Sequence, residues 1–316
     1  MTTLHVRVHS EQPFFVELCN NLGMARLQVL LAAVLFGTTG TAQALGPDSS
    51  TPLTVGASRI LIGGALLAAL AFASGGLRGS WPLRLVVLSG AGVAIYQLAF
   101  FQAVADTGVA VGAIVAIGSG PVFAGLLERL VDGRWPDRRW LAATTLATAG
   151  VAVLTLAAAS EASLSARGIG LALVSGAGYA TYTIVAKRLL RLGHAPVPVM
   201  GASFGVGAVL LLPVLALGDT AWLRTSDGLA LALYLGVVPT ALAYVLFAGG
   251  LRHLDASEVT TIVLAEPLTA TLLGWLVLDE RIGAVGAVGA GLVLAGLVVL
   301  AAPGRRSRPE TAEVPL

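Results

Sequence analysis

ASEVTTIVLAEPLTATLLGWLVL, residues 256–278, is long and apolar enough to cross a bilayer, yet it carries Glu266 and Pro267 near its middle. About 20 apolar residues span the hydrocarbon core. A charged side chain at that depth costs about 2.5–3.5 kcal/mol on insertion scales. The proline removes a backbone donor and loosens one turn of helix. Of the 17 acidic residues, Glu266 is the one far from the end of a span. Ser119-Gly120-Pro121 occupies the equivalent place in an earlier apolar run, as if the same unit occurred twice.

The rest of the chain has the same character. It is 56% hydrophobic and 11% charged over 316 residues, with a mean hydropathy of +0.87. A soluble domain carries about 25% charged residues, so this surface faces lipid. The 39 glycines suit helices that approach one another closely, which is how packing is achieved in a membrane. The basic residues are dispersed among apolar runs, so the pI near 9.0 does not indicate nucleic-acid binding. A single cysteine, Cys19, excludes an intrachain disulfide and a cysteine-cluster metal site.

Ten spans follow, at 27–45, 53–74, 83–104, 109–131, 140–158, 168–188, 196–217, 228–248, 256–278 and 283–302. Short connections rich in Gly, Pro, Asp and Ser leave no room for a soluble catalytic domain. Residues 1–26 and 303–316 are polar tails, and residues 1–23 lack the apolar core of a cleavable signal peptide. With the amino terminus inside, fifteen of the 19 basic residues fall on the inner side, so both termini are expected in the cytoplasm. Five spans per half, 27–158 and 168–302, turn the second half over. Residues 119–156 laid on 265–302 without a gap pair Pro121 with Pro267 and Ala149-Gly150 with Ala295-Gly296. The expected fold is an all-α membrane protein of ten transmembrane helices, arranged as two inverted five-helix repeats.

Over nearly its whole length the sequence resembles the EamA-type transporters of the drug/metabolite transporter superfamily. The resemblance rests on Phe36-Gly37, Ala57-Ser58-Arg59, Tyr96-Gln97-Leu98, Pro121-Val122-Phe123 and Tyr179-Ala180-Thr181-Tyr182 in the first six spans. Gly236-Val237-Val238, Thr240 to Tyr244, Glu266-Pro267 and Asp279-Glu280-Arg281 continue it in order. It implies a ten-helix carrier of small metabolites, often amino acids or related compounds, commonly working by export. Two departures stand out: Phe36 replaces the family's tryptophan, and Arg134 stands opposite Glu280 where the first repeat is expected to be acidic.

Candidate substrate-binding residues are Thr38, Tyr96, Gln97, Tyr179, Tyr244, Glu266 and Thr269, with Pro121 and Pro267 as helix breaks. Glu266 either exchanges a proton during transport or is held by neighbouring helices to stabilise the break. Each threonine hydroxyl has back-bonding to the preceding turn as its alternative. Tyr182 is equally compatible with an interfacial belt. Arg59, read as one turn inside span 2, is expected to snorkel or to form a structural pair rather than to fix an anion. The GxxxG pair Gly201/Gly205 and the glycines at 283, 286 and 289 are expected to pack within one chain, a monomer or a homodimer. No phosphate-binding loop, zinc motif or nucleophile elbow occurs. The chain is therefore expected to need no cofactor, metal or catalytic residue. The expected activity is secondary transport of a small molecule across the cytoplasmic membrane, with proton coupling as an option; an intramembrane enzyme is the alternative.

Overall fold

The computed structural model describes residues 12–133, 135–158, 165–279 and 283–302, with only the backbone described for 12–22, 108–111 and 114. The first half comprises α1 (Gln12–Ala44), α2 (Pro52–Ala73), α3 (Leu83–Asp132) and α4 (Arg138–Ala158). The second comprises α5 (Ala166–Arg191), α6 (Pro196–Leu217), α7 (Ser226–Gly236), a π-helical segment (Val237–Leu242), α8 (Ala243–His253), α9 (Ala256–Ile262), α10 (Ala265–Val277) and α11 (Ala284–Ala301). Thr51, Ser165 and Thr225 cap α2, α5 and α7, each side-chain oxygen accepting the backbone N–H three residues on. Large apolar side chains such as Phe72, Leu130 and Leu217 are more than three-quarters exposed, the lipid-facing pattern of a membrane bundle. Among the described residues, nine helices are long and apolar enough to cross a membrane.

The tenth crossing is hidden inside α3. Helical hydrogen bonding continues from Leu83 to Asp132, where two separate spans were expected. Nevertheless, a Cβ built on Gly112 would stand 3.0 Å from the Cα of Val104. Eight residues of straight helix would separate these positions by about 12 Å, so the chain doubles back between them. Both halves of α3 consequently flank α5 at one level: Gly178 abuts Gly92 and Tyr96, and Gly176 abuts Ala116 and Ser119. An open loop was expected at the turn; keeping the backbone bonded internally is the cheaper solution beside lipid.

Glycine contacts reveal the inversion. Gly64 of α2 lies against the Phe204 carbonyl and the Ala208 Cβ, while Gly201 of α6 lies against the Leu67 carbonyl and the Ala71 Cβ. One constant shift exchanges the two sets. The seam runs antiparallel, with Gly76 beside Pro198 at one end and Thr54 beside Gly218 at the other. The α4–α11 seam repeats the arrangement. Gly150 meets Gly289 and Val293, and Gly296 meets Ala143 and Ala147, related by the shift that pairs Pro121 with Pro267. A two-fold axis lying across the helices produces this exchange. The second GxxxG glycine, Gly205, faces Ala68 of the same chain, and Gly289 likewise packs within the chain.

The two prolines behave differently. The helix breaks at Val263–Leu264, just before Glu266-Pro267, where Leu264 and Glu266 bond back only three residues. At Pro121 the expected break is absent, and α3 runs through it. The Arg134/Glu280 difference lies outside the described residues.

Candidate functional site

The π-helical segment positions the first of the candidate residues. Pro239 lies within it, and the Thr240 hydroxyl donates to the Leu235 carbonyl five residues back at 2.7 Å. The widened turn re-aims α8 relative to α7, bringing Tyr244 into the centre of the bundle. There the Tyr182 hydroxyl donates to the Tyr244 hydroxyl at 3.3 Å, and the Tyr96 hydroxyl lies 3.4 Å from the same oxygen. Phe204 and Phe36 pack against the Tyr244 ring, with centroids 4.1 and 5.0 Å away. Tyr179 stands edge-on to Tyr182 at 5.3 Å, its ring against Gly120. Four tyrosines from α3, α5 and α8 thus meet in one cluster, and its charged neighbours are Glu266 and Arg59.

Glu266 enters from α10, on its first turn after the break. A Cβ at Gly37 of α1 would stand 2.8 Å from the Glu266 carbonyl and 2.6 Å from the Thr269 Cβ, so α1 presses directly on this turn. The Glu266 side chain is half-buried. Its carboxylate makes no hydrogen bond or ion pair within 4 Å to any described residue. Its charge acts on Tyr179, and the Arg59 charge acts on it.

The expected residues fall into two groups. Tyr96, Tyr179, Tyr244 and Glu266 are brought together. Gln97 is buried one residue from Tyr96, but its amide turns toward Gly56 of α2, and the amide nitrogen has no partner among the described residues. Thr38 and Thr269 are half-buried with their hydroxyls donated to Leu35 and Ala265 of their own helices, leaving only acceptor capacity. Sequence reasoning underused two residues. Tyr182, three residues after Tyr179 and hence on the same helical face, is fully buried in the cluster rather than at a belt. Arg59 makes no ion pair among the described residues: it is the eighth residue of α2, two turns in, with a buried Nε that has no partner there. Of the arginines within predicted spans it lies farthest from a span end, which was the available signal.

At the end of the molecule where Arg26, Arg139, Lys187 and Arg191 gather, charges tie the helices together. Arg26 pairs with Glu258 at 2.8 Å and Arg191 with Asp132 at 2.6 Å. The buried Lys187 ammonium donates to the carbonyls of Leu251, Arg252 and Leu254 at 2.8, 3.2 and 2.7 Å, capping the C-terminus of α8. Glu128 accepts from the Ser257 N–H at 3.1 Å, capping the N-terminus of α9. Opposite charges thus sit on opposite helix dipoles across one connection. A cavity of about 610 Å³ opens here between Arg26, Glu128, Trp140 and Asp255.

The model of the EamA-like transporter family matches residues 23–156 and 166–302, one match per half. An uncharacterized transporter of Bacillus subtilis, YwfM, is 41% identical over 283 residues, covering 89% of this chain and 95% of the relative. The uncharacterized inner membrane transporter YicL of Salmonella typhimurium is 26% identical, covering 89% and 96%. A solved crystal structure, 22% identical, superposes with a TM-score of 0.75 over 88% of this chain and shares its fold. Two inverted halves, a broken helix in the second and a family match on each half converge: the chain belongs to the EamA-like transporter family and is a multi-pass membrane transporter.

Proposed function

We propose that the protein is a secondary carrier of the cytoplasmic membrane, exporting a small metabolite such as an amino acid or related compound by alternating access. The halves, 27–158 and 168–302, rock about the chamber formed by Tyr96, Tyr179, Tyr182, Tyr244 and Glu266. Both termini lie in the cytoplasm, in keeping with the gathering of Arg26, Arg139, Lys187 and Arg191 at one end. The cluster would carry its cargo without transforming it.

One observation carries this reading: a half-buried carboxylate, without a partner among the described residues, stands at a helix break beside a cluster of four tyrosines. Ionisable groups are retained at such depth where they face a pathway. Glu266 is the coupling group, binding and releasing a proton as the chamber changes sides, with Thr38 and Thr269 offering acceptors nearby. Counterflow of radiolabelled metabolites in proteoliposomes, measured from pH 5.5 to 8.5, tests the proposal. Glu266→Gln should flatten the pH dependence and slow exchange about tenfold or more, the rate equivalent of a lost interaction of about 1.4 kcal/mol. Unchanged uptake with an unchanged pH profile would exclude the coupling role.

A further inference from the structure

A guanidinium two turns inside a transmembrane helix is costly unless something solvates it. Three arginines at helix ends have carboxylate partners: Arg26 has Glu258, Arg167 has Asp106 and Arg191 has Asp132. Arg59 has no hydrogen bond or ion pair to any described residue, and its Nε is fully buried. Glu266 and Tyr244 are among its electrostatic neighbours, which places it beside the tyrosine cluster. Two further buried polar atoms around the chamber lack partners: the Gln97 amide nitrogen and the Tyr179 hydroxyl. The Gln97 amide abuts Gly56, one turn before Arg59, and the Tyr179 ring stands 6.3 Å from that of Tyr96, the residue next to Gln97.

All three orphaned groups are hydrogen-bond donors. Buried donors in a native structure are nearly always satisfied; the Arg59 and Gln97 nitrogens can only donate, and the Tyr179 hydroxyl can donate as well as accept, so the group favours an acceptor. A planar guanidinium is the side chain best matched to the paired oxygens of a carboxylate or phosphate. We propose that Arg59, with Gln97 and Tyr179, is an anion-docking site for the carboxylate or phosphate group of the cargo. The inference rests on the carrier reading above and narrows it to acidic cargo. The cargo's anion takes the position beside Arg59 that Glu266 faces without closing to an ion pair, so loading exchanges one negative neighbour of the guanidinium for another.

Thermal shift on purified protein in zwitterionic lipid and neutral detergent tests the site. The probes are monocarboxylates, dicarboxylates and phosphate monoesters, each beside its uncharged amide or alcohol. At least one acid should raise the Tm of the wild type while its neutral counterpart does not. Arg59→Gln should raise the half-saturating concentration of that acid about tenfold or more, a change of about 1.4 kcal/mol. Arg59→Lys, which keeps the charge but loses the fork, should fall between. Gln97→Leu and Tyr179→Phe should each weaken the acid severalfold, and they serve if Arg59→Gln does not fold. A panel without a stabilising acid overturns the proposal, as does an equal shift in Arg59→Gln and the two donor variants. A shift that appears only with added phosphatidylglycerol assigns the anion to a lipid headgroup and overturns acidic cargo. Counterflow of the stabilising acid is scored separately: binding without counterflow defeats the carrier reading and leaves the anion site standing.

Discussion

The second half of α3 and the α9–α10 pair descend from one pattern, an apolar run with a proline near its middle, yet they fold differently. Around Pro121 the helix is continuous, with Gly120 giving up its side-chain space to the Tyr179 ring. Before Pro267 the helix stops, and Glu266 occupies the position that Gly120 holds in the other copy. A second difference follows at the connections. Glu128 and Lys187 clamp the α8–α9 connection, whereas the repeat register places Gly274 opposite Glu128, a residue with nothing to donate or accept. Duplication supplied the scaffold, and single polar residues such as Glu266 opposite Gly120 and Glu128 opposite Gly274 made the two copies differ.

The largest effect on stability is expected where the copies differ most. Lys187→Met leaves three carbonyls at the end of α8 without a donor and should cost about 2–3 kcal/mol, read as a lowered Tm of the purified protein. A variant as stable as the wild type would mean that the clamp contributes nothing and the asymmetry is only apparent. Next come the places where the copies agree. A Cβ at Gly150 would stand 2.5 Å from the Val293 nitrogen, and one at Gly296 would stand 2.7 Å from the Ala143 carbonyl. Gly150→Ala and Gly296→Ala should therefore each destabilise by about 1–3 kcal/mol and by similar amounts, since both overpack the same seam from opposite sides. Strongly unequal losses would break the two-fold. The smallest expected change is at Ser89 and Ser203, buried partners at 2.8 Å between α3 and α6. Ser89→Ala should cost about 0.6 kcal/mol, the usual worth of an interhelical hydrogen bond in a bilayer.

Much of the site was legible because membranes make polar residues conspicuous. Glu266 and Tyr244 stand out against apolar neighbours, and the gapless pairing of 119–156 with 265–302 reappears as the α4–α11 seam. Arg59 and Tyr182 were harder to read. A basic residue near a span end and a tyrosine on an apolar helix each have an ordinary interfacial role, and only their neighbours decide between that role and a central one. The Lys187 and Glu128 clamp left no sequence signal, since its partners are backbone carbonyls and an N–H that any residue carries.

Sequence alone determined that the backbone must be helical and must cross lipid repeatedly, because unsatisfied peptide groups are excluded from hydrocarbon whatever the packing. It also determined the inversion, because an odd number of crossings per copy permits no other orientation. Tertiary structure alone decided which proline breaks its helix, where the chain doubles back within α3, and which polar atoms remain without a partner. Those outcomes depend on what a neighbouring helix places within a few ångströms, and residues distant in sequence supply it.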